Sequence, residues 1–375
     1  MADHRRLTGL PDIHAATRAY EAWVKSKLDV VAEDLERKHT LLRTSPFAFL
    51  RGTYYRWAQV FPVVCPKLAA RAVVPAVGDL HVENFGTWRD AEGRLAWGVN
   101  DFDEGYPLAW TADLVRLATS VRFAIADAGL RVDAARACAA ILAGYAEGLD
   151  AGGHPFVLAE DNHWLGALAT GRLKKPTRFF HNLKTAIRPG VPKPILKKVL
   201  LAALPDGAED ITFARRVAGV GSLGRPRWVA LAKSRGGFVA REAKVWLPSA
   251  NAFLDGKPGD HDTQSAILAG AVRSPDPMLH LDRGWTVRRL SPNNARVELD
   301  ELLPTTDAVR LLRAMGTEIA NVHLSDRKAA RKARQEIGEV KRDFLVVASE
   351  AMEAAVREDH RVYRRKQKTK LKSAG

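Results

Sequence analysis

Between Val77 and Asp113 the chain reads V-G-D-L-H-V-E-N-F-G, a short spacer, then V-N-D-F-D-E-G-Y-P-L-A-W-T-A-D. Asp79 and Asn84 stand five positions apart in a loop opened by Gly78 and closed by Gly86. Asp101 and Asp103 follow the strand-like Trp97, Gly98 and Val99. Carboxylates and an amide oxygen brought to one point are the hard donors that magnesium selects, and a carboxylate beside a hydroxyl can take its proton. Phosphoryl transfer asks little more of a protein. On that chemistry Asp79 is the candidate base, and Asn84, Asp101 and Asp103 are the candidate magnesium ligands. Asp and Asn also cap turns and helices, but four of them in 25 positions exceed what two turns require.

The surrounding pattern shows what must hold these groups. The apolar run Val73 to Val77 leads into the loop, and Asp113 opens a helical run of Leu114, Val115, Leu117, Ala118, Val121 and Ile125. Residues 132–149 form a second, Ala-rich helix, and Gly152 and Gly153 break it. Upstream, residues 13–38 carry apolar positions at helical spacing and read as one amphipathic helix. In Thr44 to Gly52 the aromatics read as packing, with Arg51 in a structural ion pair rather than on a phosphate. Residues 171–198 read as a basic helix followed by a linker.

The texture changes near residue 211. Three strands, at 211–217, 228–232 and 238–245, form a meander whose first turn holds Gly219, Gly221, Ser222 and Gly224. Glycines let backbone amides approach an anion, so this turn is a candidate cover for nucleotide phosphates, although three glycines also suit a plain hairpin. Lys244 lies on a strand 20 residues past Gly224, placed to reach α and β phosphates. A helix over 262–272 and a strand over 285–290 follow. The backbone from Arg289 through Leu290 to Ser291 is a candidate for gripping an adenine edge. From Thr306 to Arg365 the pattern is nearly all helical. The fold class is α+β: helical residues 1–205 with the acidic loop, a β-rich nucleotide-binding unit over 206–303, and C-terminal helices over 304–375 ending in a basic tail.

Composition narrows the function. A chain of 375 residues, 46% hydrophobic and 27% charged, builds two or three packed units rather than a disordered segment. Two cysteines, Cys65 and Cys138, without CxxC spacing, argue against a disulfide framework or zinc site and fit a reducing compartment. No apolar run reaches the length of a membrane span, and the opening residues lack a secretory core, which together predict a cytoplasmic protein. The net charge of +15 is partly local, since seven Lys and Arg crowd residues 361–372 without an acid. A basic end of this kind is a solvated tail, and without aromatic interleaving or a recognised module it argues against nucleic-acid binding.

The stretches S-P-F-A-F-L-R-G, G-D-L-H-V-E-N-F-G, N-D-F-D-E, V-A-G-V-G-S-L-G, R-E-A-K and T-V-R-R-L, spread from residue 45 to about 290, resemble the bacterial family known as domain of unknown function 2252. That family in turn looks like a distant relative of the aminoglycoside phosphotransferases and protein kinases, which carry a G-D-L-H-x-x-N loop, an I-D-F or I-D-W acid and a D-P-x-x-D-L motif. The resemblance implies a two-lobe, protein-kinase-like fold with Asp79 as base, Asn84 and Asp101 as magnesium ligands and Asp113 as a buried brace. It also implies a circular permutation, because here the glycine turn and Lys244 follow the acidic loop instead of preceding it. One element departs from the pattern: the helix after Lys244 offers only Asp262 and Gln264 where kinases supply a glutamate, which leaves three alternatives: Glu242 as a substitute, a site assembled differently, or one that is catalytically feeble.

Three functions fit. An ATP- and magnesium-dependent phosphotransferase would act on a small-molecule or protein hydroxyl. A pseudokinase-type protein would hold nucleotide without chemistry. A metal-dependent phosphoester hydrolase would use Asp79, His81, Asp101 and Asp103 around one or two metals; His81 otherwise serves as a loop-stabilising hydrogen bonder.

Overall fold

A computed structural model describes residues 9–127, 129–159, 162–170, 173, 175–259, 261–295 and 304–372 of the chain. Among these, helices combine with antiparallel sheets, which makes an α+β architecture.

Helix α1 (Ile13–Lys27) starts on Asp12, whose carboxylate accepts the N–H groups of His14 and Ala15 at 2.8 and 2.9 Å. The single helix expected over 13–38 is in fact two. Leu28 turns extended, and α2 (Ala32–Leu42) begins after a break. The reason is long-range: the N–H of Val31 donates to the carbonyl of Gly224 at 2.9 Å, so residues 28–31 are drawn to the glycine turn. Two consecutive β-branched residues, Val30 and Val31, weaken the helix there. Then α3 (Pro46–Gly52), capped by Ser45, and α4 (Tyr54–Val64) lead through α5 (Pro66–Ala69) into β1 (Val73–Ala76).

Strands β2 (Phe85–Arg89) and β3 (Leu95–Val99) form a hairpin beyond the acidic loop, and β4 (Tyr106–Ala109) returns antiparallel to β1. Helix α6 (Thr111–Asp127) is buried on nearly every face from Thr111 to Ala124, the mark of a central core helix. Helix α7 (Ala134–Asp150) packs beside it, and β5 (Phe156–Val157) adds a short third strand to β3.

After α8 (His163–Thr170) and α9 (Pro176–Ala186) the expected linker does not appear. Ile187–Pro189 forms β6, the edge strand of a six-stranded sheet, and α10 (Pro194–Ala202) follows. A three-residue strand has too little alternation to be read from sequence, and its pairing with β7 decides it. The sheet runs β10-β11-β9-β8-β7-β6, with β7 (Glu209–Arg216), β8 (Arg227–Ser234), β9 (Gly237–Val245), β10 (His280–Asp282) and β11 (Trp285–Leu290). Helices α11 (Ala250–Leu254) and α12 (Asp262–Gly270) connect β9 to β10.

Period-two alternation splits this sheet chemically. One face packs Ala230, Ala232, Ala243 and Val287 under Leu196, Val199 and Leu200 of α10. The opposite face is apolar only at its far end, where Ala214, Val229, Leu231 and Ala240 meet Leu183 and Ile187. Its near end carries charged side chains toward the acidic loop.

The last helices, α13 (Thr305–His323), α14 (Arg327–Ile337) and α15 (Phe344–Lys372), close the body. α13 and α7 approach so closely that a Cβ at Gly144 would strike the Arg313 carbonyl, and one at Gly316 the Ile141 carbonyl. Both cysteines are free and buried. Among the described residues no helix is long and apolar enough to cross a membrane. The opening residues read above for a secretory signal, 1–8, lie outside the described residues, as do the side chains of the basic tail from residue 366.

Candidate active site

Helix α6 organises the acidic loop. Asp113, Arg116 and Ser120 are spaced three and four apart, so they share one face of the helix. The buried carboxylate of Asp113 accepts the N–H groups of Val77 and Gly78 at 2.7 and 2.9 Å, and His323 Nε2 lies 3.2 Å from it. Ser120 Oγ accepts the N–H of Val82 at 3.1 Å. Arg116, fully buried, donates from Nε to Asp79 Oδ1 at 3.1 Å and pairs with the same oxygen through a second nitrogen. Its guanidinium also lies over the rings of Tyr54 and Trp57. Gly78 makes the turn possible: its φ of +79° suits glycine, and a Cβ there would meet the Tyr54 hydroxyl at 2.8 Å.

Asp79 thus sits on the floor of a cavity of about 270 Å³, with a side chain 21% exposed. Burial raises its carboxyl, Arg116 opposes that, and Glu104 adds to it, leaving Asp79 pushed up to about 7. Asn84, Asp101 and Asp103 line the same cavity. Asn84 Oδ1 accepts the N–H of His81 at 2.9 Å, in a short 3₁₀ turn, Val82–Asn84. His81 is buried and accepts the Glu83 N–H on Nδ1 at 3.2 Å, the loop-stabilising place. Arg51 forms an ion pair with Glu83 at 2.9 Å.

The opposite wall comes from the six-stranded sheet. Cross-strand register places Lys244 opposite Arg227 and Thr286, and Glu242 opposite Val229 and Arg288. Lys244 Nζ lies 3.4 Å from Asp101 Oδ1 and pairs with Asp103, so the acids of the loop are its partners, and not Glu242. Burial by itself would raise Asp101, but Lys244, Arg288 and Arg227 outweigh it and hold its carboxyl below the usual carboxylate range. Lys244 stands behind these acids and does not line the cavity.

Glu242, fully buried, is held instead by three arginines. Arg227 reaches it at 2.7 Å, Arg288 at 2.7 Å, and Arg216 contacts its other oxygen. Against the cost of burial they keep Glu242 well below the ordinary glutamate range. Arg225 bonds Glu104 at 3.0 Å and the Tyr20 hydroxyl at 3.3 Å.

The glycine turn hangs over Asp79. Gly219 and Gly224 adopt φ of +78° and +92°, and a Cβ on Gly221 would lie 3.6 Å from Asp79 Oδ2. Arg227 donates to Ser222 Oγ at 2.7 Å, and Lys38 of α2 donates to the Gly221 carbonyl at 3.0 Å. Burial and neighbouring Arg225 lower Lys38 to about 8. Gly219, Gly221, Ser222, Arg289 and Leu290 all line the cavity, while Gly224 faces α2. The expected residues therefore meet at one cleft, except that Lys244 and Gly224 stand behind its wall.

A distant residue fixes β3, the strand that leads into Asp101. Glu318 of α13 is fully buried, and its Oε1 accepts the Val99 N–H at 3.1 Å while Asn321 Nδ2 donates to Oε2 at 2.8 Å. A Cβ on Gly98 would strike this carboxylate. Gly98→Ala is expected to destabilise the protein by roughly 1–3 kcal/mol, the range for overpacking; urea unfolding measures it, and an unchanged midpoint would show that Glu318 has room to move.

Among the described residues no three His, Cys, Asp or Glu side chains stand together as a metal cluster. Asn84, Asp101 and Asp103 bring two carboxylates and an amide oxygen to the lining of one cavity. That set fits an ion such as magnesium, which keeps waters and takes substrate phosphates as its other ligands.

Residues 30–172 match the model of a family described as an uncharacterized protein conserved in bacteria (DUF2252). The matched span includes the acidic loop, Asp101, Asp103 and the Asp113–Ser120 face of α6, and ends before the six-stranded sheet. No curated protein and no solved structure matches the chain.

Proposed function

We propose that the chain is a kinase-like, two-lobe phosphotransferase that uses ATP and magnesium, its order circularly permuted so that the β-rich lobe is inserted after the acidic loop. What supports this most is the convergence of two remote segments: the acidic loop and the β7–β9 meander face one another across a single cavity, joined by Lys244 to Asp101 and Asp103. Asp79 takes the proton of the acceptor hydroxyl as its oxygen attacks the γ phosphorus of ATP, and the bond from that phosphorus to the ADP oxygen breaks. Asn84, Asp101 and Asp103 would hold magnesium, which screens phosphate charge when bound. The glycine turn covers the phosphates and excludes water, while the backbone near Arg289 and Leu290 borders the base. Lys38 keeps the turn in place.

The proposal is tested by ADP release with ATP, magnesium and a panel of hydroxyl acceptors. Acceptor-dependent ADP supports transfer. A second reading, nucleotide binding without chemistry, is favoured by one contact: Arg116 occupies Asp79 Oδ1 with two donors. ATP binding with no ADP from any acceptor would establish that reading instead.

A further inference from the structure

The near end of the sheet face, where side chains of β7, β8, β9 and β11 gather at the foot of the glycine turn, carries more positive charge than its carboxylate can use. Glu242 has about four acceptor sites, whereas each guanidinium brings about five donors. Arg216 and Arg227 flank the glycine turn in sequence, and Arg288 lies directly across the strand pair from Glu242. The side chains of Arg216 and Arg288 are 25% and 29% exposed, and both line the cavity. Arg227 is driven below its ordinary range by burial and by Arg288 and Arg216, opposed only by acids such as Glu242. Lys244, by contrast, is 5% exposed, is committed to Asp103 and Asp101, and stands off the cavity wall.

We propose that Arg216 and Arg288, rather than Lys244, grip the phosphate chain of the nucleotide in this cleft. The inference rests on the nucleotide reading above and deepens it. Glu242 then acts as the positioning residue: it holds two planar forks at fixed angles toward the cavity, and guanidinium forks match phosphate oxygens in pairs. Lys244 instead is spent on Asp101 and Asp103.

The test is calorimetric binding of ATP, adenosine and inorganic tripolyphosphate to the full chain and to Arg216→Gln, Arg288→Gln and Lys244→Met. The wild type is expected to bind ATP more tightly than adenosine. Either arginine change should weaken ATP by about 10- to 100-fold, the worth of one or two hydrogen bonds to a charged group, and should narrow the gap to adenosine. Lys244→Met should cost less than either. If a glutamine variant melts early, Arg216→Lys and Arg288→Lys keep the charge and lose the fork, and are expected to fall between wild type and full loss. Unchanged ATP affinity in both arginine variants, with loss in Lys244→Met, overturns the inference and leaves the nucleotide reading standing. Wild-type protein that ignores ATP yet binds tripolyphosphate through these arginines sustains the grip and sinks the nucleotide reading.

Discussion

Glu242→Gln is expected to lower stability by roughly 3–5 kcal/mol, the cost of removing one partner from a buried ion pair. The carboxylate is fully buried and holds Arg216, Arg227 and Arg288 within one small volume. The amide keeps the shape and one acceptor oxygen but none of the charge. Three guanidiniums then repel one another around a neutral amide, and Arg227, with a side chain only 5% exposed, has little access to water through which to escape. Urea unfolding at neutral pH measures the loss. A change under about 1 kcal/mol would mean that the arginines separate freely into solvent, contrary to a built cluster.

Asp79→Asn is expected to spare nucleotide binding and reduce transfer by about 10²- to 10⁴-fold, the usual contribution of a positioned general base. The asparagine retains an acceptor oxygen for Arg116 but has no site for the hydroxyl proton. In the wild type, transfer should climb as pH rises through about 7, where Asp79 becomes the base form. Stability carries the opposite sign. The folded carboxyl binds its proton more tightly than an unfolded one, because its value is raised from 3.8 to about 7. Its contribution is therefore full below pH 3.8 and is lost as pH rises through about 7. The Asn variant lacks this term, so wild type should lose stability against it across that window. A variant that still transfers at the wild-type rate would remove Asp79 from the chemistry.

Much of this arrangement was legible from residue order. The helical runs from Asp113 and over 132–149 correspond to α6 and α7, and the three strands of the meander end within a few residues of β7, β8 and β9. Strong local periodicity suffices for such elements. The set Asp79, Asn84, Asp101 and Asp103 was legible for another reason: acids and amides beside glycines in apolar surroundings have little structural use in such number.

What escaped depends on distant partners. The break between α1 and α2 is fixed by a bond from Val31 to Gly224, and the β-branched pair Val30 and Val31 weakens the helix there without showing that partner. Arg116 looks like a polar-face residue until the loop folds back over α6 and brings Asp79 to it. The partner of Lys244 lies in the acidic loop, not on the following helix where the kinase pattern puts it. Glu242 and Lys244 share one face of β9 by simple alternation, and Thr286 and Arg288 share one of β11. That signal was present in R-E-A-K and T-V-R-R-L, but only the register of β8, β9 and β11 shows that Arg227 and Arg288 converge on Glu242.

On the proposed reading, the acidic loop and the β-rich segment build one nucleotide and magnesium site. Isothermal titration of ATP, with and without magnesium, into wild type and Asp101→Ala tests it most directly. Magnesium is expected to strengthen binding in wild type and to leave it unchanged in the variant. No heat from ATP up to millimolar concentration, with or without magnesium, would contradict it.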